Sequence, residues 1–165
     1  MKFNFLLVLT TAFLLTTCQS NSQDNNGLET RDLATGLDTP WEILWGPDNY
    51  IWMTERYGRI SRVNPENGDV TELITIDKVS EGGEKGLMGM ALHPDFENNP
   101  HVFVVYNYMD GGNTFVAVSR WTYDGEKIEE NSEMILIDGI AGSQIHDGSR
   151  LWIREPEMKL YITTG

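Results

Sequence analysis

Cysteine is nearly absent from this chain. Among its 165 residues there is one, Cys18, so neither an intrachain disulfide nor a thiolate metal cluster can be built. Basic residues are also few: Lys and Arg number 12 against 25 Asp and Glu, for a formal net charge of −13. With no basic stripe to neutralise phosphates, the composition argues against nucleic acid as a partner. Helical periodicity is missing too, since no stretch holds a 3.6-residue apolar repeat over the ~11 residues a helix needs. One apolar run stands out, Phe3 to Leu15, broken only by Asn4, Thr10 and Thr11. It is too short for a membrane span.

That run follows Lys2 and leads into Leu15-Thr16-Thr17-Cys18. A charged start before a short apolar stretch is a secretory signal. The four residues ending at Cys18 resemble the lipobox of bacterial lipoproteins, with Thr17 where the pattern carries Gly, Ala or Ser. The resemblance implies cleavage before Cys18, lipidation of that cysteine and a membrane anchor at the bacterial cell envelope, periplasmic or on the outer surface. Residues 1–17 therefore read as a signal peptide. Residues 18–30, rich in Ser, Asn, Gln and Asp, read as a lipidated flexible tether. Residues 31–165 read as an incomplete folded domain.

That domain is a series of short strands separated by turns. Expected strands run over Trp41–Trp45, Tyr50–Glu55, Gly58–Val63 and Val70–Ile76, with Gly46-Pro47-Asp48-Asn49 and Asn64-Pro65-Glu66-Asn67-Gly68 as turns. The same order recurs with Leu87–His93, Val102–Tyr108, Thr114–Thr122 and Met134–Ile137. A third copy opens with Arg150–Ile153 and Leu160–Thr164. Marker prolines at 47, 94 and 156 stand 47 and then 62 residues apart, and the longer spacing places an insertion around Ile128–Gln144. Four strands per repeat at this period is the signature of an all-β fold, the β-propeller. Propellers close with ~4–8 blades, so two repeats and a hairpin read as the N-terminal part of a longer protein.

The densest feature is Gly83-Glu84-Lys85-Gly86-Leu87-Met88-Gly89-Met90-Ala91-Leu92-His93-Pro94-Asp95-Phe96. Glycine at this density means tight turns or a close approach by another chain segment. This run is similar to the glycine-rich loop and strand of the soluble, pyrroloquinoline quinone-dependent glucose/sorbosone dehydrogenases. Leu37-Asp38-Thr39-Pro40-Trp41, Ile51-Trp52-Met53-Thr54-Glu55-Arg56-Tyr57-Gly58 and His146-Asp147-Gly148-Ser149-Arg150-Leu151 resemble further motifs of that family, in the family's order.

The resemblance implies a six-bladed propeller, here two blades and the start of a third. It also implies oxidation of an aldose at the anomeric carbon to a lactone, with the quinone taking the hydride, a calcium ion polarising the quinone and an external electron acceptor. His146 matches the family's catalytic base, and imidazole changes charge near neutrality, as that role needs. Glu84 matches a Gln or Glu close to the sugar, and Arg150 is a second substrate-side candidate. The chain departs from the family where Ile145 stands at a position one branch fills with Asp, and where Glu157-Met158 replaces an Asp-Gly. In the family the quinone and calcium ligands lie mostly beyond the stretch matched here, so no metal ligand is expected in this chain, and the fragment alone is not expected to hold either cofactor.

The remaining residues have simpler readings. His93 is a turn residue, and His101 a solvated strand start. Trp41, Trp45, Trp52, Trp121 and Trp152 fill the core between blades. A second reading keeps the fold and location without turnover: a surface propeller lipoprotein that binds a glycan or a protein.

Overall fold

The computed structural model describes residues 29–165. The expected signal peptide, Cys18 and most of the tether lie outside these residues. Residues 32–165 form one compact unit built only of strands and their connections. In chain order these are β1 (Pro40–Trp45), β2 (Ile51–Glu55), β3 (Arg59–Val63), β4 (Val70–Thr75), β5 (Leu87–Leu92), β6 (His101–Asp110), β7 (Asn113–Thr122), β8 (Met134–Ala141), β9 (Leu151–Arg154) and β10 (Lys159–Ile162). Most strand ends fall within a residue or two of the sequence pattern. β8 is the exception and runs on to Ala141.

The strands make two antiparallel four-stranded meanders, β1-β2-β3-β4 and β5-β6-β7-β8, and the hairpin β9-β10. These are two propeller blades and the opening of a third. The inner strand β5 packs between β1 and β9, the inner strands on either side.

Period-two alternation explains how each blade contacts both neighbours. On β6, Val102, Val104 and Tyr106 join Trp52, Ile60, Leu73 and Ile74 in the core between the first two blades. Val105, between them in sequence, points the other way and joins Val116 and Val118 under Ile140, Leu151, Leu160 and Ile162. A strand buried on both faces reads as a continuous apolar run, as Val102–Tyr106 does. Trp52 is fully buried, with edge contacts to Phe96 at 5.7 Å and Tyr123 at 5.1 Å. Trp121 is buried nearby. The other tryptophans are not core residues: Trp45 and Trp152 are exposed, Trp152 lies 5.6 Å from Tyr161, and Trp41 is half-buried.

Because successive strands run in opposite directions, connections alternate between the two ends of the blades. The β2–β3 turn and the β4–β5 and β8–β9 connections share one end. Those connections are residues 56–58, 76–86 and 142–150, and they hold Glu84, His146 and Arg150.

Candidate functional site

The site grows from main-chain contacts between these loops and β5. A Cβ at Gly89, in the middle of β5, would lie 2.0 Å from the Ser149 carbonyl oxygen. Only a residue without a side chain lets the 142–150 loop seat against that strand. Gly86, at φ +148°, plays the same part toward Arg56, whose carbonyl oxygen is 2.3 Å from where a Cβ would sit. The Arg56 carbonyl accepts the Leu87 N–H at 2.8 Å. Its guanidinium donates to the Lys85 carbonyl at 3.0 Å and to the Gly83 carbonyl. Arg56 thus clamps the glycine loop. Behind it, fully buried Glu55 pairs with Arg59 and accepts the Asp38 N–H at 2.6 Å. The hydrogen bond to Glu55 is the main cause that raises the Arg59 pKa.

On this platform Glu84 and His146, 62 residues apart, meet. The Glu84 carboxylate accepts the His146 backbone N–H at 3.0 Å. The Glu84 N–H donates to the Gln144 carbonyl at 2.8 Å. His146 has φ +64° and Ser149 φ +80°. Left-handed backbone at a non-glycine residue costs on the order of 1–3 kcal/mol and persists only where surrounding contacts enforce it. Here they do: Ser149 is fully buried, donates its N–H to the Thr163 carbonyl at 2.7 Å, and donates its hydroxyl to the Asp147 carbonyl at 2.8 Å. The His146 imidazole makes no hydrogen bond to another described residue and is exposed. It opens on a recess of about 200 Å³ lined by Trp41, Arg56, Glu84, Met88, Asp147 and Gly148.

Arg150 lies beside this recess and does not line it. Its guanidinium donates to Glu42 at 2.8 Å and stacks 4.4 Å from the Trp41 ring centre. The arginine joins the inner strand of the first blade to the start of the third and backs the Trp41 wall. The pattern of the sequence pointed to neither Trp41 nor Arg56 as a site residue, because both acquire their place only when the loops meet.

The chain has relatives among known proteins. Residues 37–165 match the family described as Glucose / Sorbosone dehydrogenase. The chain belongs to that family. Quinoprotein glucose dehydrogenase B of Acinetobacter calcoaceticus is 33% identical over 160 residues, which are 92% of this chain and 33% of that protein. The PQQ-bound form of the aldose sugar dehydrogenase of Streptomyces coelicolor superposes with a TM-score of 0.72 at 31% identity, over 82% of this chain and 40% of that one. A glucose dehydrogenase-type oxidoreductase of Thermus thermophilus gives a TM-score of 0.72 at 32% identity, over 84% of this chain and 40% of the other. The chain thus spans a third to two fifths of the length of these glucose/sorbosone dehydrogenase relatives.

The recess brings a carboxylate, an imidazole and an indole ring together at one end of the blades. At about 200 Å³ it is smaller than the roughly 300–1,000 Å³ of sites that enclose a cofactor-sized ligand, and its nearest cations, Arg56 and Arg150, are engaged with loop carbonyls and Glu42. A tricyclic quinone does not fit in it alone. Among the described residues no group of three or more His, Cys, Asp or Glu is placed to hold a metal ion.

Proposed function

We propose that the protein built with this chain is a quinone-dependent aldose dehydrogenase that oxidises the anomeric carbon of a sugar to a lactone. His146 is the base that takes the anomeric hydroxyl proton. The observation that carries this is His146 itself: its backbone is held in a left-handed conformation, its N–H is tied to Glu84, and its imidazole, with no hydrogen-bond partner among the described residues, borders the recess. Glu84 serves two purposes in this reading. One carboxylate oxygen fixes the base's backbone, and the other is available to a sugar hydroxyl. Trp41 offers an apolar ring to the sugar face, held by the Arg150 stack. The oxidant in this reading is pyrroloquinoline quinone, named on the relatives, and the residues described here contribute the base side of the reaction.

The test is aldose-dependent reduction of an added dye by the complete protein. His146→Ala is expected to lower the rate by about 10²–10⁴-fold with an unchanged melting temperature. Full activity in that variant would remove His146 from the mechanism. We also propose a lipid anchor at Cys18 on the cell envelope. Metabolic labelling with a fatty acid should mark the wild type and not Cys18→Ser, and equal labelling of both overturns the anchor.

A further inference from the structure

We propose that Asn107 and Asp147 are a positioning pair that sets where His146 sits relative to Glu84. The inference rests on the dehydrogenase reading above. Asn107 lies on β6 in the middle of an apolar run and is fully buried. All its polar groups are engaged. Its side-chain Oδ1 accepts the Gly86 N–H at 3.0 Å, and its Nδ2 donates to the Asp147 Oδ2 at 2.6 Å. Its backbone N–H donates to the Gly86 carbonyl at 3.0 Å, and its carbonyl accepts the Ser80 N–H at 2.8 Å. The other Asp147 oxygen, Oδ1, accepts the Ser143 N–H at 2.8 Å.

One carboxamide therefore joins the two loops that carry the site. Gly86 is two residues from Glu84, and Asp147 adjoins His146. The two loops are tied at the surface by the Glu84–His146 hydrogen bond and beneath it by Asn107 and Asp147.

The donors around the pair dictate its chemistry. Gly86 N–H requires an acceptor at position 107, and Ser143 N–H requires one at position 147. If both positions were amides, each oxygen would be taken by its loop and the two NH₂ groups would face each other. If both were carboxylates, two negative charges would meet in a buried place. The arrangement works with one amide and one carboxylate, in either order. The two single exchanges break it, and the double exchange rebuilds every hydrogen bond with the same net charge.

The experiment uses Asn107→Asp, Asp147→Asn and the double variant Asn107→Asp/Asp147→Asn in the complete protein. Two readouts are taken: steady-state aldose oxidation, and hydrogen exchange at the Gly86, Ser143 and His146 amides. Each single variant is expected to lower kcat about 10–100-fold with KM changed less than about threefold, the scale of misplacing a reacting group by about an ångström. Exchange at the three amides should speed up. The double variant should return kcat to within about threefold of wild type and slow the exchange again. For Asn107→Asp, the activity relative to wild type should rise as pH falls, because one shared proton restores a donor between the two carboxylates. Glu84 and His146 are present in both proteins, so the ratio removes their common contribution. Single variants with wild-type kcat and exchange, or a double variant as impaired as the worse single in both, overturn the pair. A wild type that reduces no dye with any aldose overturns the dehydrogenase reading instead, and the exchange pattern still decides the pair.

Discussion

Two arginine clusters sit at opposite ends of the blades, and they differ in what they leave unused. Arg62 pairs with Asp48 at 3.2 Å, donates to the Tyr123 hydroxyl at 2.6 Å, and lies 4.6 Å from the Tyr50 ring centre and 5.8 Å from that of Tyr123. Its side chain is 19% exposed. Burial is the chief cause that raises the Tyr123 pKa, so the phenol stays a neutral partner. Arg150 has the same kinds of partner, Glu42 and Trp41, yet its side chain is 62% exposed and it borders an open recess. Arginine against aromatics therefore does not mark a site. What marks one is the neighbourhood: an open recess, and an imidazole with no hydrogen-bond partner among the described residues.

Variants that invert this contrast test it. The largest effect is expected from Gly89→Ala. Its Cβ would meet the backbone oxygen of Ser149, so the 142–150 loop must lift, costing about 2–3 kcal/mol in urea denaturation and most of the aldose oxidation. Arg62→Ala comes next. It should cost about 2 kcal/mol, from a half-buried ion pair, a phenol hydrogen bond and two ring contacts, and leave the KM for sugar unchanged. Arg150→Ala should show the reverse. Its exposed pair is worth at most about 1 kcal/mol, while loss of the stack frees Trp41 and raises KM. If Arg62→Ala impaired catalysis and Arg150→Ala impaired only stability, the assignment of the two ends would be wrong.

The smallest effect concerns His101. Burial, then Arg120 and His93, lowers its pKa below the ordinary value. The native state therefore favours the neutral ring, and the unfolded chain takes up the proton first as pH falls. Stability is complete above about pH 6.5 and declines below it. Melting curves at pH 7.5 and 5.5 should show a drop in the wild type that is smaller in His101→Phe.

His101 also shows where the sequence misleads. Its position at the start of a strand suggests solvent, but Nδ1 is buried with no hydrogen-bond partner among the described residues. The ring packs 6.1 Å from His93, and its strand pairs with β7 at Thr122. Such lateral packing follows from register, which one strand's pattern does not reveal. The strands themselves were legible, because period-two burial and Gly, Pro and Asn turns are written locally. The Glu84–His146 meeting was legible only through family motifs, since 62 intervening residues hide it. Asn107 left a signal that was there to find: a lone amide inside Val102–Tyr108, where every other residue is apolar. Trp41 and Arg56 stand inside two of the family motifs, but their roles could not be read there, because these depend on how three connections converge.

The seating of the 142–150 loop on Gly89 has a consequence for redesign. Ser143 and Gln144 hold the loop through main-chain atoms, by the Ser143 N–H and the Gln144 carbonyl, and Ile145 is 48% exposed. The side chains at these three positions can therefore be exchanged as a library while the backbone that carries His146 stays fixed. The outer surface of the loop and the placement of His146 become separately adjustable properties of one short segment.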